Sequence, residues 1–170
     1  EQFVPWVAAN DAGLVVTSAS KAYNKAGLKA AVLLAGPGSA ALLEALPEST
    51  KYGSSYVGQR THMAAWSGGD AWLAAVNGAI AANAAYLRDL LAEHLPAVGY
   101  RPPASTYLAW LDCRALDLGD DPAAVFLERG RVALNPGPTF GDAGAGFVRL
   151  NLAASRAVLA DAVRRMSASL

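Results

Sequence analysis

Apolar positions follow three different patterns along the chain, and each predicts a different kind of element. Residues 13–17, Gly-Leu-Val-Val-Thr, form a short β-branched run that reads as a buried strand. A Ser/Lys-rich turn leads from it into the apolar stretch 26–34. The turn Gly36-Pro37-Gly38 then precedes a helix expected over 39–46. A long helical zone follows, in which Leu73, Val76, Ile80, Ala84, Leu87, Leu91 and Leu95 recur at intervals of three and four and make one apolar stripe. Asn77, Asn83, Arg88, Asp89 and Glu93 fall off that stripe. Pro96 and the pair Pro102-Pro103 end it and open a zone of alternating short strands and helices. Strands are expected over 107–112, 132–134 and 147–152. Asp121 reads as an N-cap with Pro122 in the first helical position, and Ser155 caps a last helix that turns Val158, Leu159, Val163 and Met166 inward.

Composition narrows the function classes. The 170 residues are 54% hydrophobic and only 16% charged, which leaves less polar surface than a solitary domain of this size usually presents, so some apolar surface is expected to meet a partner. Fourteen basic and fourteen acidic residues balance to zero without long single-sign blocks. Nucleic acid and anionic membrane surfaces are therefore excluded as expected partners. The apolar stretch 30–43 is broken at Gly36-Pro37-Gly38 and is too short to span a membrane. The single cysteine, Cys113, excludes an intrachain disulfide and a multi-cysteine metal site, and a cytoplasmic location is expected. The apolar start, with no initiator Met, reads like a cut inside something larger.

Two clusters carry candidate chemistry. Thr17, Ser18 and Ser20 crowd Lys21 where the strand candidate gives way to a turn, an arrangement suited to an anion. A lysine held beside apolar walls and other cations, here Lys25 and Lys29, has its ammonium form disfavoured and becomes available as nucleophile or base. A Ser-rich surface turn with solvated lysines is the competing reading. The second cluster runs from Asn135-Pro-Gly-Pro-Thr-Phe-Gly141 to Arg149-Leu-Asn151. Glycine and proline bend the backbone there, and Arg149 lies between Val148 and Leu150. Such a setting suits a permanently charged guanidinium that grips a carboxylate in bidentate fashion, and equally an edge-strand arginine whose head reaches water. His62 and His94 stand apart from any acid or cysteine at ligand spacing, so no metal site is expected and both read as surface or helix-end residues. Trp66, Trp72 and Trp110 could line a pocket, but buried aromatic packing is the stronger expectation.

Taken together, Thr-Ser-Ala-Ser-Lys21-Ala-Tyr-Asn-Lys-Ala-Gly-Leu28 and Asn135-Pro-Gly-Pro-Thr-Phe-Gly-Asp-Ala-Gly-Ala-Gly-Phe-Val-Arg149-Leu-Asn151 resemble the fold-type I pyridoxal-phosphate (PLP) enzymes of aminotransferase class I and II. With Thr106-Tyr-Leu-Ala-Trp-Leu-Asp112 added, the chain is most similar to the cystathionine β-lyase branch, the MalY/PatB-type carbon–sulfur lyases. The implied fold class is α/β, the C-terminal part of a PLP-dependent transferase-like fold. Residues 1–71 would be a remnant of the large PLP-binding domain, 72–95 the connecting helix and 96–170 a small α+β domain.

The resemblance also implies roles. Lys21 would form the internal Schiff base with pyridoxal 5'-phosphate and shuttle the proton at the substrate α-carbon. Ser18 matches the family's phosphate-binding hydroxyl, Ser20 is a second candidate, and Lys29 falls where many aminotransferases place an arginine on the phosphate. Arg149 would hold the α-carboxylate of an amino-acid substrate. The expected reaction is β-elimination giving thiol, pyruvate and ammonia. Transamination is the alternative, and a non-catalytic interaction protein retaining the fold remnant is a third reading. Family members are more than twice this length, and residues 3–9 resemble the segment just after the family's cofactor-pairing aspartate, so Asp11 is not given that role. The missing N-terminal half of the same enzyme and a homodimeric mate are the expected partners. Alone, the segment should be a poor catalyst or none, and prone to associate.

Overall fold

The computed structural model describes residues 4–170. Glu1, Gln2 and Phe3, the start of the 3–9 motif, lie outside the described residues. Contacts divide the chain into two units, Glu1–Ala75 and Val76–Leu170.

In the first unit a single-turn helix α1 (Trp6–Ala9) precedes strand β1 (Leu14–Thr17), which pairs antiparallel with β2 (Val32–Ala35) in the register Leu14↔Ala35 to Thr17↔Val32. The expected buried strand is instead largely open, with Val16 73% exposed. A two-stranded ribbon covers neither of its own faces, and among the described residues nothing else pairs with it. Helix α2 (Ala40–Glu44) is shorter than expected because Ser39 turns inward: its hydroxyl donates to the carbonyls of Gly13 (3.0 Å) and Gly36 (3.3 Å). Helix α3 (Tyr56–Gly68) starts at Ser55, whose Oγ accepts from the Gly58 N–H at 3.1 Å. Gly58 lies against the Leu28 carbonyl so closely that any Cβ would collide with it. The helical zone thus consists of two helices, parted at Gly69, where α4 (Asp70–His94) begins.

The second unit is built on a four-stranded antiparallel sheet in the order β3-β4-β6-β5, formed by Gly99–Tyr100, Leu108–Asp112, Phe147–Asn151 and Asn135–Pro136. Alternation sorts each strand between two faces. Ala109, Leu111, Val148 and Leu150 face a core shared with Leu87, Leu90, Leu91 and Leu95 at the end of α4, Ala123 and Phe126 of α5 (Pro122–Gly130), and Leu159, Val163 and Met166 of α6 (Arg156–Ala168). Each fully buried Leu or Phe there contributes about 1.5–3 kcal/mol. Both caps form as the sequence predicts. Asp121 accepts from Ala123 N–H (3.1 Å) and Ser155 from Val158 N–H (3.3 Å).

Residues 132–134 and Val158 depart from expectation in this unit. Residues 132–134 are not a strand, because Val132 closes the α5 C-terminus through its N–H to the Phe126 carbonyl (3.0 Å), and pairing begins only at Asn135. Val158 is exposed in the first turn of α6. Among the described residues no helix is long and apolar enough to cross a membrane.

Candidate active site

The first candidate cluster is a compact turn at the end of β1. Ala19 is fully buried and anchors it. The Ala19 carbonyl accepts from Tyr23 N–H (3.0 Å), and that of Ser20 from Lys25 N–H (2.9 Å). Ser18 Oγ accepts from the Ser20 N–H at 3.3 Å, and Asn24 takes the left-handed conformation that closes the turn. Tyr23 stacks on Trp72 with ring centroids 6.0 Å apart. Ser18, Ser20 and Lys21 are therefore held on one tight loop with the Lys21 side chain exposed and, among the described residues, in no ion pair. Among the described residues no apolar wall of the kind expected covers Lys21. Lys29 has a different setting: left-handed at φ 48°, it lines a cleft of about 730 Å³ that none of Ser18, Ser20 and Lys21 lines.

That cleft holds a second departure from expectation. His62 is only 2% exposed, so it is not a surface residue. Its Nδ1 is 2.8 Å from the Gly58 carbonyl, while its Nε2 and the hydroxyl of Ser54 are buried with no hydrogen-bond partner among the described residues. Leu33, Leu43, Leu46, Met63 and Trp66 supply the apolar lining. The tryptophans are not buried either, with Trp66 41%, Trp72 48% and Trp110 39% exposed. His94 does lie at a helix end, as expected.

In the second unit Arg149 occupies the sheet face opposite the core. It is not an edge residue, since β6 is flanked by both β4 and β5, and Arg149 stands in a cross-strand row between Trp110 and Asn135. Asn135 Oδ1 accepts from its Nε (3.3 Å) and Nη2 (3.1 Å). The guanidinium carbon lies 4.5 Å from the centre of the Phe140 ring. Trp110 meets Phe140 edge-on and stacks on Phe147, both at 5.5 Å. The loop carrying Asn135 and Phe140 is fixed by mutual contact of Gly137 and Gly144, where a Cβ on either would strike the other's carbonyl. Sequence reasoning missed Asn135 and Phe140, because a strand placed at 132–134 hides the pairing that sets Asn135 beside Arg149.

Charge beside this face is settled locally. Arg114 donates to both oxygens of Asp112 at 2.9 and 2.6 Å, which holds that carboxyl below the usual aspartate range. Burial, with the Asp112 charge adding to it, pushes the Cys113 thiol up to about 12.

The family model for aminotransferase class I and II matches residues 1–166. The chain belongs to this family. It is 44% identical over 188 aligned residues to a Mycobacterium tuberculosis protein named "Putative cystathionine beta-lyase", covering 99% of this chain and 46% of that protein. It is 36% identical to protein MalY of Escherichia coli, covering 92% and 41%. The solved PLP-bound C-S lyase of Staphylococcus hominis superposes with a TM-score of 0.88 at 26% identity, covering 99% of this chain and 45% of that one. The fold of this aminotransferase-family chain is thus that of the corresponding part of a PLP-dependent transferase. The chain spans less than half the length of these relatives.

The residues present fit one end of such a cofactor. The Lys21 turn offers a primary amine and the hydroxyls of Ser18 and Ser20. Groups for the pyridine nitrogen and ring face have no counterpart assigned in this chain.

Proposed function

We propose that this chain is the C-terminal portion of a PLP-dependent carbon–sulfur β-lyase acting on amino acids, completed by an upstream half and working as a cytoplasmic homodimer. Residues 1–71 belong to the cofactor-binding domain, 72–95 to the connecting helix and 96–170 to the small domain. The observation that carries this reading is the Lys21 loop: an exposed amine presented beside two serine hydroxyls on a turn fixed by its own backbone hydrogen bonds. Similarity to relatives named for cystathionine cleavage supports the lyase chemistry.

Pyridoxal phosphate, when bound, supplies an electron sink for negative charge at the substrate α-carbon. Lys21 is the residue that would hold it, through its primary amine, and that would then move the proton at the substrate α-carbon. Ser18 and Ser20 would donate to its phosphate, whereas Lys29, which lines a different cleft, would reach that phosphate only by leaving that cleft, and would bring a charge without the planar fork of an arginine. Arg149 holds the α-carboxylate, which orients the Cα–H bond for removal. The open β1–β2 ribbon supports an incomplete unit, since a two-stranded ribbon is not stable by itself in water.

The deciding experiment joins this chain to the upstream half of the Mycobacterium tuberculosis relative, adds PLP, reduces with borohydride and maps the labelled peptide. Label on Lys21, lost in Lys21→Ala, is the expected result. Label retained elsewhere in Lys21→Ala overturns the assignment. Transamination is the second reading, favoured by the family's own description. Supplied with cystathionine, the joined enzyme is expected to release pyruvate, and fast amino transfer without pyruvate would reverse the choice between the two.

A further inference from the structure

A guanidinium has five N–H groups on two usable edges: a side edge of Nε and Nη2, and an end edge of Nη1 and Nη2. In Arg149 the side edge is already occupied, because one oxygen, Asn135 Oδ1, accepts from both Nε and Nη2. One flat face is covered by Phe140. The end edge remains, with two parallel N–H groups spaced for the two oxygens of a carboxylate.

We propose that Asn135 and Phe140 are positioning residues that commit Arg149 to end-on, bidentate recognition of a free α-carboxylate, an inference that rests on the carboxylate role given to Arg149 above. Three features make the arrangement specific. Asn135 and Arg149 are direct register partners across β5 and β6, so the amide is set by the backbone rather than by a flexible loop. Phe140 is itself braced by the edge of Trp110, which stacks on Phe147. An amide satisfies the side edge without cancelling the arginine's charge, whereas a carboxylate at position 135 would compete with the substrate for it.

The test uses L-alanine and ethylamine, which differ by that carboxylate alone. Their binding to the joined, PLP-loaded enzyme is read from the cofactor's visible spectrum. Asn135→Ala is expected to weaken L-alanine about tenfold and leave ethylamine unchanged, the size set by a hydrogen bond to a charged group. Phe140→Leu should act in the same direction more weakly, and Phe140→Tyr should restore wild-type binding. A second readout needs neither cofactor nor activity: in the 170-residue chain, exchange of the Arg149 Nε–H followed by NMR should accelerate in Asn135→Ala. If Arg149→Ala weakens L-alanine while Asn135→Ala and Phe140→Leu do not, the positioning inference is wrong and the role of Arg149 stands. If Arg149→Ala itself leaves L-alanine binding intact, the role of Arg149 falls and takes the inference with it. Unchanged Nε–H exchange in Asn135→Ala overturns the inference directly.

Discussion

Cys113 comes directly after β4 with no exposed surface, and its Sγ lies 4.0 Å from the Leu111 carbonyl. With its thiol pushed up to about 12, it stays protonated and inert across the physiological range. Aromatic disulfide reagents at pH 8 are expected to leave the folded chain untouched and to titrate one thiol after denaturation. Linkage sets the sign of the pH effect. An unfolded thiol ionises near ~8.5 while the folded one holds its proton, so stability falls as pH climbs from there toward about 12. Cys113→Ala should flatten that alkaline slope in urea melts. Asp112 works in the opposite sense. The Arg114 hydrogen bonds depress its folded value, so its contribution is present above the ordinary aspartate range and is lost as pH falls through the lowered value. Both partners are partly open to water, and the effect is correspondingly small. Tyr100 carries a buried hydroxyl with no partner among the described residues, and its ionisation is displaced upward by burial. Tyr100→Phe removes that unsatisfied group and is expected to raise stability by about 1 kcal/mol, checked by the urea midpoint.

At the scale of elements, α4 shows what periodicity finds and what it overlooks. The stripe ending in Leu87, Leu91 and Leu95 is buried as its spacing requires. Asn83, which the pattern places off the stripe, is buried as well: its Nδ2 donates to the Leu152 carbonyl (2.8 Å) and the Ala154 carbonyl (2.9 Å), tying α4 to the end of β6. Those carbonyls would be left without a donor in Asn83→Ala, which should cost about 1–3 kcal/mol in equilibrium unfolding. Local signals were legible in the same way. Asp121 and Ser155 announced their helices because a cap is a contact between near neighbours, and β4 and β6 announced themselves by alternation. Non-local facts were not legible. Val132 and Leu134 look like a strand, yet Val132 is used to close α5, and β5 is two residues whose partner lies fourteen positions on. Hydropathy also misplaced His62 and the three tryptophans, since whether a face is covered depends on elements outside the stretch being read. The Lys21 turn and Arg149 stood out through motif chemistry. Asn135 and Phe140 emerged only once register put them around the guanidinium.

The whole molecule contrasts a finished unit with an open one. Residues 76–170 enclose a continuous core, whereas the first unit leaves Leu14, Val16, Leu33, Leu34, Met63 and Trp66 exposed around a two-stranded ribbon. Exposed apolar surface of this kind drives association. The isolated chain is expected to elute as concentration-dependent oligomers in size exclusion and to bind a hydrophobic dye, and joining it to the upstream half should reduce both. A clean monomer without dye binding would count against an unfinished first unit. The row Trp110–Arg149–Asn135 has a different reach. Side chains on β6 alternate, so sliding that strand by one position would bring Val148 or Leu150 to the recognition face and force a permanent cation into the oily interior. Correct threading and the grip on a carboxylate proposed for Arg149 therefore depend on one and the same register. A one-residue deletion between Gly146 and Arg149 is thus expected to disturb the sheet and the proposed carboxylate grip together.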